Sequence, residues 1–230
     1  MATLFDGFRS NYGDVVEDSI GFSGLKHDFF LEAKARFLER LVKKRQLATT
    51  PDGPRTLDVG CGIGALHPYL SKVVPRLDGC DISEESIARA NADNPWVSYR
   101  NYDAPRLPYA DGVYDLAFAV CVMHHVPPAD WPAFIDEMKR VVRPGGCVCI
   151  IEHNPLNPLT RLAVFRCPFD EDAVLLSHRK TAGLLASGGL RDVENEFFLL
   201  LPSKRRMAQS IERTMAGVPL GAQYASSAVV

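Results

Sequence analysis

The run Leu57-Asp58-Val59-Gly60-Cys61-Gly62-Ile63-Gly64 joins a short apolar stretch to a glycine-dense turn. Glycine lets backbone pass close to a ligand at such a turn. One acid, Asp58, stands just ahead of the first glycine, and Asp81 and Asp103 follow further on. Asp81 lies about 20 residues past the turn, where a carboxylate can accept both hydroxyls of a ribose. Gly60-x-Gly62-x-x-Ala65 also satisfies the loose dinucleotide pattern, which leaves a nicotinamide cofactor open. Electrostatics oppose it, because a pyrophosphate at this turn would meet Asp58. At about 4 Å and an effective dielectric near 20, two like unit charges cost on the order of 4 kcal/mol. A ligand with an ammonium or sulfonium would gain instead. S-adenosylmethionine carries both, with a ribose diol and an adenine and no phosphate.

Methyl transfer from a sulfonium is an in-line displacement, so the protein mainly aligns the nucleophile and excludes water. Alignment can contribute about 7–11 kcal/mol. A general base adds roughly 10²–10⁴-fold when the nucleophile must lose a proton. Histidine is the usual acceptor near neutral pH. His124 and His125 follow one apolar run, and His153 and Asn154 follow the next. Neighbours on a short helix point apart, so one of the adjacent pair faces the core. The order of candidates is His125, His153, then His124. His67, beside Pro68, reads as a helix-surface histidine.

Alternating strands and helices must position these groups. The patterns predict strands over Arg55–Val59, Arg76–Cys80, Val97–Tyr102, Tyr114–Val120 and Cys147–Ile151. Helices are expected over Ala65–Val74, Glu84–Ala92 and from Asp130, as cap, through Val142. Arg143-Pro144-Gly145-Gly146 reads as a turn, and Thr49–Pro54 as a linker. Ahead of the alternation, Phe29 to Val42 has helical spacing and closes on Lys43, Lys44 and Arg45. The alternation implies a parallel sheet covered on both faces, and ligands sit beyond the carboxyl ends of such strands. The last third differs. Asn154–Phe169 holds three prolines and reads as irregular. A helix (His178–Ala186), two strands (Val193–Leu200 and Gln223–Val230) and a helix between them (Ser203–Met215) complete the chain.

The bulk numbers narrow the classes. A chain of 230 residues suits one compact domain, and a formal net charge of −2 offers no basic field for nucleic acid. No apolar run reaches the roughly 18 residues of a membrane span, and Met1–Asp14 lacks a secretory layout. None of the 6 cysteines forms a Cys-x-x-Cys pair, so no metal site is expected. They read as buried thiols in a reducing cytoplasm.

Five segments, in order, give the chain a resemblance. They are residues 57–64, Cys80-Asp81-Ile82-Ser83, Leu107 to Asp115, Val122-Met123-His124-His125-Val126 and Val142-Arg143-Pro144-Gly145-Gly146. The chain resembles the class I S-adenosylmethionine-dependent methyltransferases, in particular those related to ubiquinone and menaquinone biosynthesis. The likeness covers residues 55–152 well and the remainder weakly. It implies a single α/β Rossmann-like domain, with a mostly parallel seven-stranded sheet, helices on both faces and an antiparallel C-terminal strand. Residues 1–50 would form a helical lid, 51–153 the cofactor core, and 154–230 a substrate-side insertion that completes the sheet. By the same resemblance, Gly60, Cys61 and Gly62 would lie under the methionine part and Asp58 would serve its ammonium. Asp81 would hold the ribose and Ile82 would pack on adenine. Asp103 and the Ala104 N–H would meet the adenine edge, and Cys121 would lie near the methyl group. Asp111 and Asp115 match the family as turn-shaping acids. Asp81 and Asp103 also fit bland roles, a helix cap and a surface acid.

The expected activity is methylation of a small molecule, most readily at oxygen. Nitrogen or carbon acceptors, a binding module without chemistry and a nicotinamide-dependent oxidoreductase are the alternatives. Phe5–Phe30, with Tyr12, Phe22 and His27, could fold over the cofactor. Asn154–Leu176, with Phe165 and Phe169, could wall the acceptor. Asp170, Glu171 and Asp172 could belong to that wall but read first as the acidic start of a helix. Lys204, Arg205 and Arg206 read as a solvated charge run, with contact to an anionic substrate or lipid surface the alternative.

Overall fold

The computed structural model describes residues 12–47, 51–201, 203 and 205–230. Expectations that fall on Phe5–Asn11, on Lys204 and on the side chains of Tyr12 and Arg206 lie outside the described residues. Seven strands form one sheet: β1 (Arg55–Val59), β2 (Arg76–Asp81), β3 (Ser98–Asn101), β4 (Tyr114–Val120), β5 (Val142–His153), β6 (Arg191–Phe198) and β7 (Gln223–Val229). Their order is β3-β2-β1-β4-β5-β7-β6. Neighbours pair in parallel from β3 to β5, and β7 runs antiparallel to both β5 and β6. This is the Rossmann-like architecture that the alternation implies.

Apolar runs set the central strands. Along β4, Leu116 and Phe118 join one core cluster while Ala117 and Ala119 join the other. Such a strand is buried on both faces, as parallel sheets require. The first cluster packs under helix α2 (His27–Lys44), through Phe37, Leu38 and Leu41. Cys147 and Cys149 point into it as buried thiols. The second is closed by Ile135 and Met138 of α4 (Trp131–Val141) and Leu185 of α6 (His178–Ser187). Helices α1 (Tyr12–Ile20), α3 (Glu84–Asp93), α5 (Pro158–Arg166) and α7 (Arg206–Thr214) lie around these layers.

Four local expectations need correction. The predicted helix over Ala65–Val74 does not form, and turns around a single 3₁₀ segment, His67–Tyr69, take its place. Gly64 is left-handed (φ 70°), and Pro68 removes a backbone donor, so no regular i→i−4 ladder is built there. Conversely, the stretch expected to be irregular contains α5. Pro158 sits at its first turn, and Asn157 caps it, accepting from the Leu159 and Thr160 N–H groups at 2.9 and 3.1 Å. Asp130 precedes α4 without capping it, because its side chain makes no cap hydrogen bond. Residues 143–146 do not separate two elements. They are a bulge inside β5, where Tyr114 pairs with Val142 and Leu116 with Cys147.

Candidate active site

The parallel pairing of Val59 with Cys80 sets the ends of β1 and β2 side by side. The glycine turn therefore folds over the end of β2. Gly60 and Cys61 donate their N–H groups to the Cys80 carbonyl at 2.8 and 3.0 Å. Gly62 donates to Asp81 Oδ2 at 2.8 Å. Gly60 has φ 73°, and a Cβ there would stand 2.7 Å from the Val122 side chain, so only glycine fits. The other Asp81 oxygen accepts from the Ser83 N–H at 2.9 Å. Burial pushes the Asp81 carboxyl above its ordinary value. Ser83 is the cap of α3, accepting from Ser86 N at 3.1 Å, which leaves Asp81 facing the cavity.

Asp58 is 4% exposed, and its Oδ2 lies 2.9 Å from His67 Nε2. His67 is fully buried, not a surface histidine, and its Nδ1 is bonded to the Tyr99 hydroxyl. Burial holds the Tyr99 phenol protonated, so Tyr99 donates to Nδ1 and Nε2–H donates to Asp58. This chain of hydrogen bonds orients the carboxylate. Asp58 Oδ1 is buried with no hydrogen-bond partner among the described residues, an acceptor poised for a cation. Ile82, Tyr102 and Ala104 line the same cavity, whereas Asp103 is exposed and lies outside its wall.

The ends of β4 and β5 carry the second half of the site. Cys121 has a left-handed backbone (φ 56°), and its Sγ accepts from Gln223 Nε2 at 3.3 Å. Burial raises the Cys121 thiol. Contrary to expectation, the 3₁₀ turn Met123–His125 does not send the adjacent histidines apart: His124 is buried and His125 half-buried, and both line the cavity and approach Asp170. His124 Nδ1 lies 2.5 Å from Glu152 Oε2, and its Nε2 lies 3.2 Å from Asp170 Oδ1. Burial opposes charge on His124, but the Glu152 and Asp170 carboxylates outweigh it and hold His124 well above its ordinary value. Glu152 also accepts from the N–H groups of Val122 and Met123 at 3.1 and 2.8 Å. Burial first, then the neighbouring His124 charge, lowers His125 and His153 to about 4. Both stay neutral near pH 7. Asp170 lies in a 3₁₀ turn, Pro168–Asp170, rather than at the start of a helix, and its carboxylate faces the histidines.

One cavity of about 1270 Å³ joins the two halves. Pockets for a single drug-sized ligand hold roughly 300–1,000 Å³, so this one has room for a nucleoside and an acceptor together. Phe22, Phe29 and Phe30 line it from the N-terminal side, and Leu159, Ala163 and Val164 from α5. Lys34, 8% exposed, adds a cation to the wall. Sequence reasoning passed over Lys34, Glu152 and Gln223 and took His67 for a surface histidine. Only Lys34 left a signal, a lysine inside the apolar stripe Phe30, Phe37, Leu38 and Leu41.

The chain resembles known proteins. A family model described as a methyltransferase domain matches residues 57–150. An uncharacterised methyltransferase of Synechocystis sp. is 31% identical over 156 residues, covering 66% of this chain and 73% of that protein. The ubiquinone biosynthesis O-methyltransferase of Rhizobium etli is 32% identical over 50% of this chain, which spans 47% of that enzyme's length. A solved SAM-dependent methyltransferase from Thermotoga maritima, described as a possible histamine N-methyltransferase, superposes with a TM-score of 0.68. It is 18% identical, and the match covers 100% of this chain and 99% of that one. Fold and cavity together define a class I methyltransferase. The chain belongs to the S-adenosylmethionine-dependent methyltransferase family, and S-adenosylmethionine is its cofactor.

Proposed function

We propose that this enzyme methylates an oxygen of an apolar small molecule. The observation that carries the reading is the single cavity, which unites the glycine turn and two acids with a histidine cluster under an aromatic roof. Asp58 Oδ1 would receive the cofactor ammonium, and Gly60, Cys61 and Gly62 would lie under its methionine part. Asp81 would hold the ribose, and Ile82, with the Ala104 N–H, would flank the adenine. Asp103 stands outside the wall, so the reading gives it no direct contact. Bound there, the cofactor would supply a methyl already activated for transfer. Cys121 would lie beside that methyl group.

The remaining work belongs to the chain. The roof excludes water, and the walls align the acceptor oxygen. His125 and His153 face the cavity and are neutral near pH 7, and the reading assigns the acceptor proton to one of them. Release of S-adenosylhomocysteine over a panel of phenols, aliphatic alcohols, amines and carbon nucleophiles tests the reading. Turnover should be confined to hydroxylated acceptors. Methylation at nitrogen or carbon alone would overturn the choice of oxygen. Failure to bind either form of the cofactor by calorimetry would overturn the whole assignment.

A further inference from the structure

We propose that His124, His125 and Asp170 form a binding site for one divalent transition-metal ion, whose open positions take the acceptor oxygen. The inference deepens the methyltransferase reading and rests on it for the acceptor. Its foundation is a convergence on one atom. Asp170 Oδ1 lies 3.2 Å from His124 Nε2 and 3.4 Å from His125 Nε2. Both imidazoles therefore turn a ring nitrogen toward one carboxylate oxygen. The three ligand atoms all lie within 4.8 Å of one another. Tetrahedral ligands about 2.1 Å from a zinc ion stand about 3.4 Å apart, so two of the three edges already have the required length.

The surroundings complete the case. His124 Nδ1 donates to Glu152 Oε2 at 2.5 Å, which leaves Nε2 as the ligating nitrogen. A carboxylate behind a ligating histidine is the usual means of fixing its tautomer and ring orientation. Glu152 is itself pinned by the N–H groups of Val122 and Met123. The two carboxylates, Glu152 and Asp170, balance the charge of a divalent cation. Two imidazoles and one carboxylate suit zinc, iron(II), cobalt(II) or manganese(II). His125, Asp170 and His153 all line the cavity, so the open side of the site faces the acceptor. A cation there would polarise an acceptor hydroxyl and fix its oxygen. With His125 engaged as a ligand, His153 is the imidazole left for the proton.

The test uses full-length protein stripped with a chelator, then titrated with Zn²⁺ by calorimetry and with Co²⁺ by absorption. One equivalent should bind, with a cobalt spectrum of nitrogen and oxygen ligation. Asp170→Asn and His125→Gln should each weaken binding by about tenfold or more, and Glu152→Gln by roughly 10–100-fold. S-adenosylhomocysteine affinity, measured on the same samples, should stay near that of the wild type and so reports an intact fold. Three results would overturn the site: no saturable uptake by wild-type protein that binds S-adenosylhomocysteine, unchanged uptake in the folded variants, or thiolate bands in the cobalt spectrum. Should a variant fail to fold, the wild-type titration and spectrum decide alone. Loss of S-adenosylhomocysteine binding with metal uptake intact would sink the methyltransferase reading and spare the metal site.

Discussion

Asp58 shows how a single carboxylate can be both anchored and available. Its Oδ2 is bonded to His67, while Oδ1 is buried and has no hydrogen-bond partner among the described residues. A buried acceptor without a partner costs free energy, so the cofactor ammonium proposed for this place would offset that cost. Asp58→Asn should therefore lower S-adenosylhomocysteine affinity by about tenfold or more, about 1.4 kcal/mol, in a calorimetric titration. Tyr99→Phe acts one bond further out. It strips His67 Nδ1 of its donor inside the core, and the unsatisfied nitrogen should cost about 1–3 kcal/mol in denaturant unfolding. Asp58 and Asp81 were legible in the sequence because strand ends and glycine spacing place them. His67 and Asp170 were not. His67 became a core residue only when β3 brought Tyr99 alongside, and Asp170 found its histidines 45 and more positions away through the path of the chain.

At the scale of elements, strands were easier to read than helices. The bounds of β1 and β4 agree with expectation to the residue, because both lie between turn formers, with Pro54 and Gly60 at the ends of β1 and Gly112 shortly before β4. The helix expected after the glycine turn failed for a reason that apolar spacing cannot register. A Cβ at Gly64 would stand 2.6 Å from the Tyr99 hydroxyl and 2.9 Å from the Asn94 amide. The backbone must pass close to both, and the left-handed conformation that allows this ends the helical path. Gly64→Ala is expected to destabilise the fold and weaken cofactor binding together, read by thermal unfolding with and without S-adenosylhomocysteine. In α5 the error ran the other way, since prolines suggested disorder of pattern while Asn157-Pro158 was a helix start. Asn157→Ala removes the cap and its hydrogen bond to the Leu220 carbonyl. A loss of about 1 kcal/mol should appear in unfolding.

For the molecule as a whole, a parallel sheet was readable from the alternation and Phe22 and His27 were expected over the site, but the ties that hold the roof were not readable, because they depend on contacts between distant segments. Ser19 of α1 reaches the Arg166 carbonyl at the end of α5, and His27 sits at the edge of the same enclosure. Burial, then the Lys34 charge, lowers His27 from 6.5 to about 4. The folded chain thus resists a proton that the unfolded chain accepts. Stability from this source is complete above about pH 6.5 and falls as the pH drops towards 4. Thermal unfolding from neutral to mildly acid pH should show a smaller loss for His27→Asn than for the wild type.

The two sets of walls have separate origins along the chain. In the proposed reading the nucleoside side would draw on residues from β1 onward, within the segment that matches the methyltransferase model, and the acceptor side would add stretches before β1 and after β5 to the histidines that follow β4 and β5. Preference for one acceptor over another can therefore drift by changes in the outer stretches, while the donor machinery is inherited intact. Exchanging those flanks between cousins is a route to new products that leaves the central sheet undisturbed.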